Sequence, residues 1–143
     1  MTAAPHSAAN HGAADLPVRP GEDPWSDAEL TELRIELEKE AIALRAELGE
    51  SQAQIVARLG DLATEAGDDE ADTSSKLFER EHELALNNNT RELLEQTEHA
   101  LLRIEAGTYG VCESCGKPIG KARLQAFPRA TLCVACKQRQ ERR

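Results

Sequence analysis

Aromatic side chains are scarce in this chain, with one Trp, one Tyr and two Phe among 143 residues. Rings carry the largest apolar area per residue, so their scarcity argues against a thick globular core. It also removes the stacking platform that single-stranded nucleic acid uses. No stretch approaches the ~20 apolar residues of a membrane-spanning helix. The opening Met1-Thr-Ala-Ala-Pro-His6 has no basic cluster followed by an apolar run, so no secretion signal is read and the cytoplasm is the expected compartment. Catalytic patterns are missing too: there is no nucleophile-base-orienter set, no Gly-rich phosphate loop and no H-E-x-x-H segment. His82 and His99 stand seventeen residues apart, too far along one helix to chelate a single ion. The chain reads as a non-enzyme.

Cysteine is absent from the first 111 residues, and four then come as two pairs, Cys112-Glu-Ser-Cys115 and Cys133-Val-Ala-Cys136. Two C-x2-C knuckles separated by seventeen residues have the spacing that wraps a loop-rich segment around one Zn²⁺ through four thiolates. Four sulfurs leave no open position to activate water, so the zinc is read as structural. A pair of disulfides is the rival reading, and the missing secretion signal weighs against it. Gly107, Gly110, Gly116 and Gly120 cluster near the first knuckle, where backbone N–H groups must approach thiolates closely. Leu124, Phe127, Pro128 and Leu132 are the expected apolar pack of the metal module.

The rest of the chain predicts helices. Residues 1–24, rich in Ala, Pro, Gly, His and Asn, are expected to form a disordered tail in which His6 and His11 are solvated. A helix should start at Trp25-Ser26-Asp27-Ala28-Glu29-Leu30: Ser26 can cap, Glu29 can reach back, and Trp25 can staple on Leu30. Leu30, Leu33, Leu37, Leu44, Leu48, Ile55, Leu59 and Leu62 continue as a narrow stripe of coiled-coil type. Gly67-Asp-Asp-Glu-Ala-Asp72 breaks the pattern, and Thr73-Ser-Ser75 offers caps for a second helix. That helix carries Phe78, Ala85, Leu86, Leu93, Leu101 and Ile104 and ends near Gly107. Two matched helices joined by a short turn predict an antiparallel hairpin over residues 25–106 with an acidic tip near 67–73. Each arm would be on the order of 50 Å long. A parallel dimer through one longer helix is the competing arrangement, and the turn chemistry disfavours it; a monomer is expected. The fold class is therefore mainly α: a long antiparallel coiled-coil hairpin plus a small zinc module over residues 107–143, ending in a basic helix.

Charge divides along the same line. Residues 1–106 hold nine Lys and Arg against twenty-four Asp and Glu, a net −15, whereas residues 107–143 hold eight against two, a net +6. The acidic part repels phosphate backbones, while the basic end could touch nucleic acid or an acidic protein surface. Asp68, Asp69, Glu70 and Asp72 crowd the turn, where carboxylates also serve as ordinary helix caps.

From about Asp69 to Arg139 the sequence resembles the DksA/TraR family. The likeness is carried by Asp72-Thr-Ser-Ser, Phe78-Glu-Arg-Glu, Ile104-Glu-Ala-Gly-Thr-Tyr-Gly-Val-Cys-Glu-Ser-Cys-Gly, Ile119-Gly, Arg123-Leu-Gln-Ala-Phe-Pro and Leu132-Cys-Val-Ala-Cys. The resemblance implies a regulator that binds bacterial RNA polymerase, passes the hairpin through the secondary channel and brings tip acids near the catalytic Mg²⁺ without a DNA site. In several members guanosine tetraphosphate, bound at the polymerase interface, strengthens the effect. Asp69 and Asp72 match the tip pattern D-x-x-D-x-A, with Ser74 in place of its Ala. Asn87-Asn-Asn89 replaces a stretch often rich in arginine, which leaves Arg80, Arg91 and Arg103 on that helix as polymerase contacts. The alternatives are a zinc-ribbon regulator that binds DNA through its basic module, and a cleavage factor that holds a second metal at its tip.

Overall fold

A computed structural model describes residues 12–64 and 70–142, with side chains described for 12–60 and 74–142. Four helices follow a single 3-10 turn at Ala13–Asp15: α1 (Asp27–Thr64), α2 (Glu70–Ala106), α3 (Lys121–Ala126) and α4 (Val134–Glu141). Among the described residues there is no strand; one antiparallel bridge joins Val111 to Pro118.

The ends of the long helices are built as their residues require. The N–H of Glu29 donates to Ser26 Oγ at 3.1 Å and the N–H of Ser26 to Glu29 Oε1 at 2.9 Å, a reciprocal capping box. Helix α2 stops at Gly107, whose φ of 77° lets the Thr108 N–H reach the Arg103 carbonyl and the Gly107 N–H that of Ile104. This paired closure satisfies carbonyls a helix end otherwise leaves orphaned. The start of α2 differs from expectation. The helix begins at Glu70, so Asp72, Thr73, Ser74 and Ser75 lie inside it and do not precede it as caps. Residues 65–69, including Asp69, lie outside the described part, as does the side chain of Asp72.

The chain divides into two compact units. The first comprises residues 1–39 and 96–143. Its core joins Leu30, Leu33 and Leu37 of α1, Ala100 and Ile104 of α2, and Tyr109, Cys112, Ile119, Leu124 and Cys136 of the C-terminal module. Ala13, Leu16 and Trp25 belong to the same core. Residues 12–24 are thus a packed strap and not part of a disordered tail. Leu16, with Val18 packed against the core, supplies enough apolar area, and Glu22 finds backbone partners in the module.

In the second unit, residues 40–95, the two long helices pair antiparallel: Ser51 meets Asn87, and Arg58 meets Glu79 and Glu83. On α2 the buried positions are Asn87, Thr90, Leu94, Thr97, Ala100 and Ile104. Of the expected stripe Ile104 is buried and Leu93 and Leu101 are half-buried, but Phe78 and Leu86 stand 73% and 54% exposed. Polar side chains occupy half of the true seam, so an apolar search slides onto its neighbours.

Candidate metal centre

The first knuckle is a tight turn between the two halves of the Val111–Pro118 bridge. The Cys112 N–H donates to the Lys117 carbonyl at 2.8 Å, and the Gly116 N–H to the Cys112 carbonyl at 2.9 Å. The second knuckle is the start of α4, with Cys133 at its N-cap and Cys136 in its first turn. The Glu113 N–H donates to the Thr131 carbonyl at 2.9 Å and ties one knuckle to the other.

All four Sγ atoms lie within 4.8 Å of one another. Cys115 Sγ and Cys133 Sγ are 3.8 Å apart, far beyond the ~2.0 Å of a disulfide bond. A zinc–sulfur bond of about 2.3 Å gives a tetrahedron whose edge is roughly 3.8 Å, so the spacing suits one tetrahedral ion. The thiols are tuned unevenly. Burial works against ionisation of Cys112, yet the N–H groups of Cys115, Cys133 and Ser114 bring its pKa down to about 6. Cys115 gains from the Lys117 N–H, but burial and the three neighbouring sulfurs push it up to about 11. Four thiolates this close need a cation between them. Arg139, one turn along α4, donates from Nη2 to Cys136 Sγ at 3.3 Å and offsets part of the excess negative charge of a four-thiolate zinc site.

The knuckles are fastened to α2. Arg103 Nη2 donates to the carbonyls of Thr108 (2.7 Å) and Val111 (2.6 Å), while Nη1 lies 3.2 Å from Glu113 Oε2. The same carboxylate oxygen meets His99 Nε2 at 2.5 Å. Behind the knuckles, the Tyr109 hydroxyl donates to the Pro128 carbonyl at 2.9 Å, and burial raises the pKa of that phenol. Nothing in the spacing of Arg103 and Glu113 flagged this clamp; a Glu inside the knuckle was its only trace.

A family described as "Prokaryotic dksA/traR C4-type zinc finger" matches residues 107–142. The RNA polymerase-binding transcription factor DksA of Escherichia coli is 36% identical over 128 residues, covering 88% of this chain and 80% of that protein. This chain belongs to the DksA/TraR family. A DksA from Caulobacter vibrioides is 45% identical over 80 residues, 56% of each protein, so the chain matches about half the length of that relative. The structure of transcription factor DksA2 from Pseudomonas aeruginosa shares the fold with a TM-score of 0.63 and 32% identity, covering 82% of this chain and 86% of the other. A C4 zinc-finger family and four converging sulfurs assign one structural Zn²⁺ to Cys112, Cys115, Cys133 and Cys136.

The other residues singled out in the DksA/TraR motifs fall differently. Ser74 is exposed on α2, Arg80 is half-buried, and Arg91 is exposed with Nη2 3.2 Å from Asn87 Oδ1. Arg103 is not free to grip a partner. Its side chain is 12% exposed and its guanidinium is engaged by Glu113 and two carbonyls. Asn87 is not a surface replacement for arginine either. It is buried in the seam, and only Asn88 and Asn89 are exposed. Among the described residues no helix is long and apolar enough to cross a membrane.

Proposed function

We propose that this protein is a cytoplasmic, non-enzymatic transcription regulator that binds bacterial RNA polymerase through its secondary channel. The observation that carries the reading is the match to the Escherichia coli factor across 88% of the chain, together with the C4 zinc-finger match at residues 107–142. In this reading Asp69 and Asp72 act as a carboxylate probe near the catalytic Mg²⁺, with Ser74 beside them setting strength. A carboxylate perturbs a metal or a nearby cation strongly only where solvent is excluded, as inside a channel. Arg80 and Arg91 of α2 are the proposed polymerase contacts. The zinc module serves as a rigid mount, and sequence-specific DNA binding is not required. The protein works as a monomer, and guanosine tetraphosphate at the polymerase interface is the proposed enhancer.

The test is binding of the zinc-loaded protein to bacterial core polymerase, paired with transcription assays of the Asp69→Asn/Asp72→Asn variant, with and without guanosine tetraphosphate. Retained binding with lost regulation is expected. Unchanged regulation by the variant would refute the tip mechanism. Failure to bind polymerase, together with salt-dependent binding to duplex DNA, would transfer the function to the basic module, where Lys137 and Arg139 lie on α4 and Arg142 at its C-terminal cap.

A further inference from the structure

Helix α3 has only six residues and begins after Gly120, which has no side chain to cap it. Its cap arrives from about a hundred residues away. Glu22 Oε1 accepts the Lys121 N–H at 2.9 Å, and Oε2 accepts the Ala122 N–H at 3.0 Å. The Arg19 N–H donates to the same Oε1 at 2.8 Å and holds the carboxylate in place.

Lys121 completes the closure from the other side. Its Nζ lies 2.8 Å from Glu29 Oε1, donates to the Pro24 carbonyl at 3.3 Å and stands 5.7 Å from the centre of the Trp25 ring. The strap also runs close over two glycines of the module. Gly120 has φ 116° and Gly110 φ 95°. A Cβ at Gly120 would stand 3.0 Å from Arg19 Cδ, and one at Gly110 3.5 Å from the Pro17 carbonyl oxygen. A side chain at either position would be strained in backbone, and at Gly120 it would also crowd the Arg19 side chain of the strap.

A helix of fewer than two turns does not hold itself in water. Helix α3 lies between Cys115 and Cys133, so the metal ties down its two flanks while Glu22 and Glu29 hold its face. The apolar anchors of the strap share the arrangement: Ala13, Leu16 and Trp25 pack in one core with Cys112, Leu124 and Cys136. We propose that the strap and the zinc site are energetically coupled through α3, so that losing zinc releases residues 12–25 and opening the strap speeds zinc release. Coupling of this kind is reciprocal by thermodynamic necessity. The strap is thereby a reporter of metal occupancy at the base of the long helices, independent of any polymerase contact.

Trp25 is the only tryptophan and is 2% exposed, packed edge-on to Tyr109 at 6.3 Å between ring centres. Its fluorescence therefore reads the strap directly. The experiment uses the full-length, zinc-loaded protein and a chromogenic chelator that reports zinc release, with Trp25 emission, hydrogen exchange and helix circular dichroism followed in parallel. Removing zinc is expected to red-shift Trp25 and speed exchange at residues 12–25 and 121–126 together, while exchange at 40–60 and 80–95 holds. Glu22→Ala is expected to release zinc about fivefold faster, the factor that corresponds to a lost helix cap of about 1 kcal/mol. An unmoved Trp25 on zinc removal overturns the proposal, as does collapse of the whole helix signal, because either shows that the strap does not follow the metal specifically. If Glu22→Ala folds and releases zinc at the wild-type rate, the coupling is absent. If that variant fails to fold, Glu22→Gln, which keeps one carbonyl acceptor, must fall between wild type and full loss, and wild-type release from Glu22→Gln counts against the proposal equally.

Discussion

Arg103 on α2 reaches Glu113 inside the first zinc knuckle at 3.2 Å, and its other terminal nitrogen holds the carbonyls of Thr108 and Val111. One guanidinium thus closes the helix end, shapes the turn after it and fixes a residue between two metal ligands. The guanidinium suits this task because its donors are spread over a fixed planar fork.

Arg103→Ala is therefore expected to destabilise the zinc-loaded protein by about 1 kcal/mol, since one exposed and one part-buried carbonyl and a partly exposed carboxylate lose a charged donor. Arg103→Lys should recover less than half of that. Thermal unfolding at fixed zinc checks both; equal melting of Lys and Arg proteins would show that charge alone suffices.

Asn87 places a polar amide in the helix seam, where it donates to Ser51 Oγ at a long 3.4 Å and accepts from Arg91. A weakly bonded buried amide fixes register at a cost in stability. Asn87→Leu together with Ser51→Ala should raise stability by about 1 kcal/mol, visible as a higher urea midpoint. A lower midpoint would mean that the Asn87 bonds are net stabilising.

The Glu29 carboxylate is held down to about 2 from its ordinary 4.5, first by the Lys121 ammonium and next by the Ser26 N–H. Glu22 is lowered as well, by the N–H groups of Ala122, Lys121 and Arg19. A depressed carboxylate contributes stability that is fully present above its unfolded pKa and lost as pH falls through its folded one. The stability gap between wild type and Glu29→Gln should thus be widest above pH 4.5 and shrink towards pH 2. Because Glu29 also holds α3 beside the metal site, the comparison is confined to the pH range over which both proteins keep their zinc. A gap that widens on acidification would contradict this assignment.

Zinc affinity should rise with pH. In the metal-free site Cys115 keeps its proton at neutrality and must lose it on binding, whereas Cys112 is already largely ionised. Each proton displaced adds about a tenfold gain per pH unit. Competition titrations from pH 6 to 8 measure the slope, and a flat profile would show the thiols to be ionised beforehand.

How far the residues announced this structure depended on the kind of signal. The zinc site was legible because ligand chemistry demands four sulfurs at fixed spacing, and the first cap because Ser26 and Glu29 satisfy each other locally. The seam of α2 was misread because Asn87, Thr90 and Thr97 are buried where an apolar pattern was sought. The strap escaped notice for another reason. Its partners Lys121 and Ala122 are remote in sequence, and no local periodicity encodes a carboxylate that caps a distant helix.

The Glu22 closure also orders events during synthesis. Its partners are translated about a hundred residues later, which at 5–20 residues per second is a wait of roughly 5–20 s. Throughout that interval Trp25 and Leu16 have no module to pack against. The nascent chain therefore presents its only tryptophan to solvent or to a chaperone until the second pair of cysteines has emerged and captured metal.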